Sequence, residues 1–340
     1  MMPTARRNMS SITQMLIPAN QRQPVAALRD ALDLSFGDKV SKRSGFLIML
    51  TLAGLIAIAG VLTDSTATVI GAMVIAPLGT PILGIALGIV TGHLSLVLRS
   101  IAWVLIGLVI VVALGLVFAM FVSTPQSLAT NSQIIGRTSP SLMDLVAALA
   151  TGTAGGFAMC RKDLSAVLPG VAISISLVPP LGVVGVCAGQ GAWGDAFGAL
   201  VLFLSNVVAL VIAGSIVFTL GGYARDPSSS PSANRRRAYT VVGVLALIVA
   251  LPLAANSVVS IAIARWTVTL QETATDWLHE QEGSRVYDVE WSGLQATIDV
   301  TTDDGTVPPI AELQQALHGA IPNYVGVIVD VGLGIEHVVQ

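Results

Sequence analysis

Charge is what this chain has least of. Only 11% of its 340 residues are Asp, Glu, Lys or Arg, against roughly 25% in an ordinary soluble domain, while 54% are hydrophobic. A soluble fold of this length cannot hide so much apolar surface. Continuous runs longer than about 18 apolar residues need a bilayer as solvent. Cysteine is nearly absent. Cys160 and Cys187 lie in or beside hydrophobic segments without metal-ligand spacing, and they read as small core residues. The four histidines are scattered at 93, 279, 318 and 337. There is no HExxH, no GxGxxG entering a helix, no GxSxG and no P-loop. No enzyme chemistry, metal or cofactor is therefore expected. A net charge of −3 offers no nucleic-acid footprint. The first 24 residues lack an apolar run, so no cleavable signal peptide is expected.

What is present is hydrophobicity in blocks. Seven segments near 46–63, 66–91, 100–122, 142–160, 164–188, 196–220 and 239–263 are each long enough for a hydrocarbon core of about 30 Å. They are continuously apolar rather than alternating, which excludes a β-barrel. The fourth is diluted by Asp144 and several glycines. Residues 1–44 are basic, and Val25, Leu28, Leu32 and Phe36 recur at helical spacing, predicting an amphipathic helix at the membrane surface. The stretch before it, through about Pro24, has no period and is expected to be mobile.

Lys and Arg set the orientation. With the N-terminus in the cytoplasm, segments 1–44, 92–99, 161–163 and 221–238 hold seven, one, two and four positive residues, whereas loops 123–141 and 189–195 hold only Arg137. This asymmetry predicts an inner-membrane protein with its N-terminus inside. Seven spans then put residues 264–340 outside. That tail reads as an αββαβ domain: a helix over Trp266–Gln281, strands at Arg285–Trp291 and Leu294–Thr301 about a turn at 292–293, a helix from Pro308 to His318, and a third strand at Tyr324–Val331. The order predicts a small α+β unit.

The chain also repeats itself. A shift of 99 residues lays DSTATVIGAMVIAPLGTPILG (64–84) over DLSAVLPGVAISISLVPPLGV (163–183), matching Asp64 with Asp163, Gly71 with Gly170 and Pro81 with Pro180. The same shift carries Gly115 onto Gly214, and Ala53 and Ala57 onto Gly152 and Gly156. Three spans per copy is an odd number, so the copies at 45–122 and 142–220 would face opposite ways, as in many transporters. The small-residue faces on the first helix of each copy would let helices approach closely, within the chain or in a homo-oligomer.

Helical regularity fails in the middle span of each copy. Pro77, Gly79 and Pro81 crowd the first; Pro179 and Pro180 stand together in the second. Proline removes an amide donor and pushes the preceding residue out of the helical region. Backbone groups freed in this way must meet protein, water or a ligand rather than lipid. Thr80, Ser174 and Ser176 bring hydroxyls to the breaks, able to bind a polar solute or to satisfy the backbone. Asn206 replaces Gly107 of the other copy and either lines the same cavity or bonds a neighbouring carbonyl. Asp64 and Asp163 precede the broken helices; they suit helix capping or the coupling of a proton or cation.

DSTATVIGAMVIAPLGTPI (64–82) and GVAISISLVPPLGVVG (170–185) resemble the two signature stretches of a prokaryotic membrane-protein family, domain of unknown function 389. The resemblance covers about residues 45–220; Gly79 stands where that family often has Met. It implies an integral membrane protein and brings no substrate or catalytic residue with it. The expected fold is thus an all-α polytopic membrane protein of about seven helices: two inverted three-helix repeats with broken second and fifth helices, a seventh span at 239–263, and an extracytoplasmic α+β domain at 264–340. The function expected first is transport of a small polar or ionic solute across the lipid bilayer. A passive ion channel of the same architecture, and a non-transporting module whose acidic tail binds a partner or lipid, remain open.

Overall fold

The computed structural model describes residues 17–121, 130–138, 142–164, 177–225, 232–279, 281, 283–292, 295–302, 305–322 and 324–333. It divides into two compact units, Met1–Asn256 and Ser257–Gln340.

The first unit is helical. A short helix α1 (Val25–Leu32) precedes α2 (Lys39–Leu62), the half-length α3 (Thr66–Ile75) and α4 (Gly79–Thr91), and the long α5 (Leu94–Ala119). Then come α6 (Ser132–Thr138), α7 (Leu142–Cys160), α8 (Val178–Gly189) and α9 (Trp193–Leu220). Among the described residues, four helices are long and apolar enough to cross a membrane: α2, α5, α7 from Met143, and α9. Counting α3 and α4 together as one bent span makes five, and α8 is a shorter apolar helix.

Local chemistry explains the boundaries. Asp38 caps α2, its carboxylate accepting from the Ser41 amide at 3.1 Å. α2 ends in a reversal closed by Asp64 N–H to Val61 O and Ser65 N–H to Gly60 O, the paired bonds of a Schellman motif. Its left-handed position is taken by Asp64 at φ +52°, a residue whose short polar side chain tolerates that region. α3 stops because Pro77 drives Ala76 to an extended ψ of 123°. The chain then bends by 48° into α4. Pro81 falls in the first turn of α4, and Pro179 and Pro180 in the first turn of α8, where an absent amide costs no helical hydrogen bond.

Element starts recur at the 99-residue offset. α4 and α8 begin at 79 and 178, α5 and α9 at 94 and 193, and the intervening Gly92 and Gly191 have φ of +74° and +79°. Packing recurs as well. A Cβ on Gly115 of α5 would meet Gly182, Gly185 and Val186 of α8; one on Gly214 of α9 would meet Leu83 and Ala86 of α4. Subtracting 99 from 182 and 185 returns 83 and 86.

Three expectations change. Residues 17–24 are pinned rather than mobile: the Gln23 amide donates to Cys160 O at 2.9 Å and the Lys162 amide to Gln21 O at 2.8 Å. α1 forms over Val25–Leu32, but Leu28 and Leu32 are buried in the same protein core as Leu83 and Leu87, so these two leucines are spent on protein rather than on lipid, while Phe36 beyond the helix is exposed. The small-residue faces are also consumed within the chain. Ala53 and Ala57 are fully buried, and Gly152 and Gly156 sit against Leu210, Ala213, Gly214 and Val217 of α9. The sequence argument for a homo-oligomer rested on those faces and goes with them.

The second unit takes the end of α10 (Ser232–Leu278), a 47-residue helix that runs without interruption through the expected seventh span and on to Leu278, three residues short of the expected helix end at Gln281. Strands β1 (Arg285–Ser292) and β2 (Gln295–Thr302) pair antiparallel; after α11 (Ile310–Leu317), β3 (Gly326–Leu333) pairs parallel to β2. β2 alternates along its length, with Ala296, Ile298 and Val300 buried against Leu270, Ala274, Leu278, Leu313 and Leu317. This period-2 burial is what the alternating sequence demanded.

Candidate functional site

The break between α3 and α4 organises the candidate site. α3 is ten residues long, about 15 Å at ~1.5 Å per residue and so half the length that crosses a ~30 Å core, and the turn at Ala76–Leu78 follows it. Pro77 and Thr80 are half-buried there, and Leu78, Gly79 and Pro81 are buried. Leu78 packs on α5: a Cβ on Gly107 would lie 2.7 Å from Leu78 Cδ2 and 3.1 Å from Leu50 Cδ2. At the 99-residue offset, Leu177, Val178, Pro179 and Pro180 are all buried at the start of α8. Neither α4 nor α8 has a side-chain cap. Leu78 and Leu177 stand at the N-cap positions, so neither of those residues' side chains satisfies the positive dipole end with which each helix starts inside protein. Ser174 and Ser176 lie outside the described residues. Asn206 is buried in α9 at 2% exposure, at the offset position of Gly107.

The two aspartates do different work from each other. Asp64 does not cap α3; Ser65 does, accepting from the Thr68 amide at 3.4 Å. Asp64 instead reaches α6, accepting from the Ser132 hydroxyl at 2.7 Å and the Gln133 amide at 3.1 Å. Those bonds, the Ser132 hydroxyl foremost, hold its carboxyl below the usual carboxylate range against the opposing effect of burial. Asp163 pairs with Arg161 at 2.6 Å, and that guanidinium holds its carboxyl down too.

Sequence reasoning missed the residues that tie each end of the bundle. Asn131, 9% exposed, caps α6 through the Gln133 and Ile134 amides at 2.9 and 3.1 Å and donates to Val61 O at 2.8 Å. Gln133 donates to Thr66 Oγ1 at 2.8 Å. The run Asn131-Ser132-Gln133 is an N-terminal helix signature that a reading of 123–141 as plain loop passes over. At the other end, the fully buried Tyr223 donates to Gln23 O at 2.9 Å, and the Arg22 guanidinium stacks 4.6 Å from its ring centroid. Nothing local in the sequence marks that contact, whose partners are 200 residues apart.

These elements define a mostly helical membrane protein with, among the described residues, four apolar helices long enough to span a bilayer, one bent apolar helix pair and a small three-stranded sheet. Residues 73–212 match the family described as Domain of unknown function (DUF389). An uncharacterised protein of Methanocaldococcus jannaschii is 31% identical over 225 residues, covering 66% of this chain and 68% of the relative. The chain belongs to the DUF389 family. No solved structure matches it.

Proposed function

We propose that the chain is a membrane transporter of a small polar or ionic solute, built from two inverted three-helix repeats, with its site between the broken spans. The observation that carries this reading is the break at Pro77 beside the buried Leu78, Gly79 and Pro81, together with a second buried proline-led helix start 99 residues later. Discontinuous helices paired across an inverted repeat are the sequence and structural mark of transport sites. The positive dipole ends of α4 and α8 and the Thr80 hydroxyl are the groups offered to a solute; Asn206, the offset counterpart of Gly107 beside Leu78, is the second-copy candidate.

Two clusters support the opposed orientation of the copies. Segments assigned inside by positive charge lie together: Gln21 with Lys162, Gln23 with Cys160 and Tyr223. Segments assigned outside do likewise, Asp64 with Ser132 and Gln133, and the Gln190 side chain with the C-terminal carbonyl of α5 at Ala119. With α10 as a seventh span, the N-terminus is cytoplasmic and the α+β unit extracytoplasmic. Burial of Gly79, Pro81, Pro179 and Pro180 favours a carrier over a standing pore, which needs an open aqueous path.

The test has two parts. Single cysteines placed at 64 and 163, in a background with Cys160 and Cys187 replaced, should react with an impermeant maleimide from opposite sides of sealed vesicles; labelling from one side overturns the inverted repeat and the transport reading with it. In liposomes, flux of sodium, potassium, chloride and phosphate should identify an ion whose entry falls in Pro77→Ala, Pro81→Ala, Pro180→Ala and Thr80→Val. Flux unchanged in all four removes the site.

A further inference from the structure

The clearest unexplained cavity lies away from the breaks, where α1 covers the α4–α5 turn. It encloses about 130 Å³ and is lined by Arg29, Thr91 and His93 together with Phe36, Leu87 and Leu96. A water-sized void needs only ~10–15 Å³ on this measure, so the space takes a group of several heavy atoms.

Its polar side is cationic. Thr91 donates its hydroxyl hydrogen to Leu87 O at 2.7 Å, so its oxygen can only accept from His93 Nδ1, 3.0 Å away. That bond fixes the ring tautomer and leaves Nε2 as the nitrogen that takes up a proton. The Arg29 guanidinium lies 4.8 Å from the Phe36 ring centroid; a guanidinium stacked on its face keeps its in-plane N–H fork for an acceptor. The buried Arg29 Nε has no hydrogen-bond partner among the described residues. The nearby carboxylates are engaged elsewhere: Asp30 by Lys42 at 2.7 Å, and the buried Asp33 by Arg99 at 2.8 Å. His93 accordingly titrates below its ordinary range, through burial first and then the Arg29 charge. One fixed cation, Arg29, and one imidazole that can take up a proton thus face one half-apolar space, with no carboxylate among its described lining residues.

We propose that this cavity binds a phosphate-bearing anion, with the phosphate between Arg29 and His93 and any attached carbon chain against Phe36, Leu87 and Leu96. A tetrahedral oxyanion matches the arginine fork and a protonated Nε2 together. The phosphate is either free or the headgroup of an anionic lipid. This inference does not depend on transport.

The full chain, labelled with ¹⁵N-histidine, is placed in phosphatidylcholine nanodiscs, with His93 assigned by the signal lost in His93→Asn. Its titration midpoint is read alone, with inorganic phosphate added, and with phosphatidylglycerol in the disc. An upward shift with inorganic phosphate identifies a soluble ligand; an upward shift with phosphatidylglycerol alone identifies a lipid headgroup. In either case Arg29→Gln should abolish the shift, since a general surface potential would move the variant equally. An equal shift in Arg29→Gln overturns the proposal. So does a wild-type midpoint unmoved by both additions, however the variant behaves.

Discussion

The sharpest prediction sets two equivalent glycines against each other. Gly115 and Gly214 are separated by 99 residues and occupy the same place in their long helices, yet their surroundings differ in kind. A Cβ on Gly115 would stand 2.7 Å from Gly182 O, 2.8 Å from Gly185 Cα and 3.0 Å from Val186 N. All three are backbone atoms, so α5 and α8 would have to part. A Cβ on Gly214 would meet Leu83 Cδ2 at 2.9 Å and Ala86 Cβ at 3.2 Å, and a leucine tip can turn aside. Alanine in a helix gains about 0.5–1 kcal/mol over glycine, while forced overpacking costs about 1–3 kcal/mol. Gly115→Ala should therefore destabilise by roughly 1–2 kcal/mol, and Gly214→Ala should be close to neutral. At roughly 2–4 °C per kcal/mol, the two differ by several degrees in Tm. Cys160 and Cys187 are fully buried, so a thiol-reactive dye reports unfolding of this bundle directly. Wild-type stability in Gly115→Ala, or a larger loss in Gly214→Ala, would refute the packing argument.

Other predictions follow from the two ends of the bundle. Asp64 has a depressed carboxyl in the folded chain, so its contribution is present above the unfolded carboxylate value of about 4 and disappears as pH falls through the folded one; Asp64→Asn should flatten acid sensitivity of the Tm, and an unchanged pH profile would count against the α6 tether. Asn131→Ala should cost about 1 kcal/mol for the lost cap, seen as faster amide exchange at Gln133 and Ile134, and unaltered exchange there would show the cap to be dispensable. Tyr223→Phe removes one hydrogen bond worth roughly 1 kcal/mol, which predicts about fivefold faster exchange of the Gln23 amide; protection equal to wild type would mean that the ring packing alone holds the segment.

The sequence by itself determined whatever depends on neighbours along the chain. A low charge content and long apolar runs dictate helices that need a bilayer, since no other solvent accepts them. Pro77 ends α3 through a clash with the residue before it, which is legible wherever a proline stands. The alternation at 285–301 wrote the two strands of the β1–β2 hairpin to within a residue of Arg285–Ser292 and Gln295–Thr302, because a strand's period of two is a local property. Tertiary structure alone decided what each polar or amphipathic residue was for. The stripe of Leu28 and Leu32 has the same pattern whether it meets lipid or protein, and only the nearness of α4 buries it in the core. Asp64 stands next to the helix it was expected to cap, but a left-handed backbone turns its carboxylate toward α6, 68 residues on. Tyr223 and Gln23 carry no local mark of each other, because a contact across 200 residues is set by how the helices close.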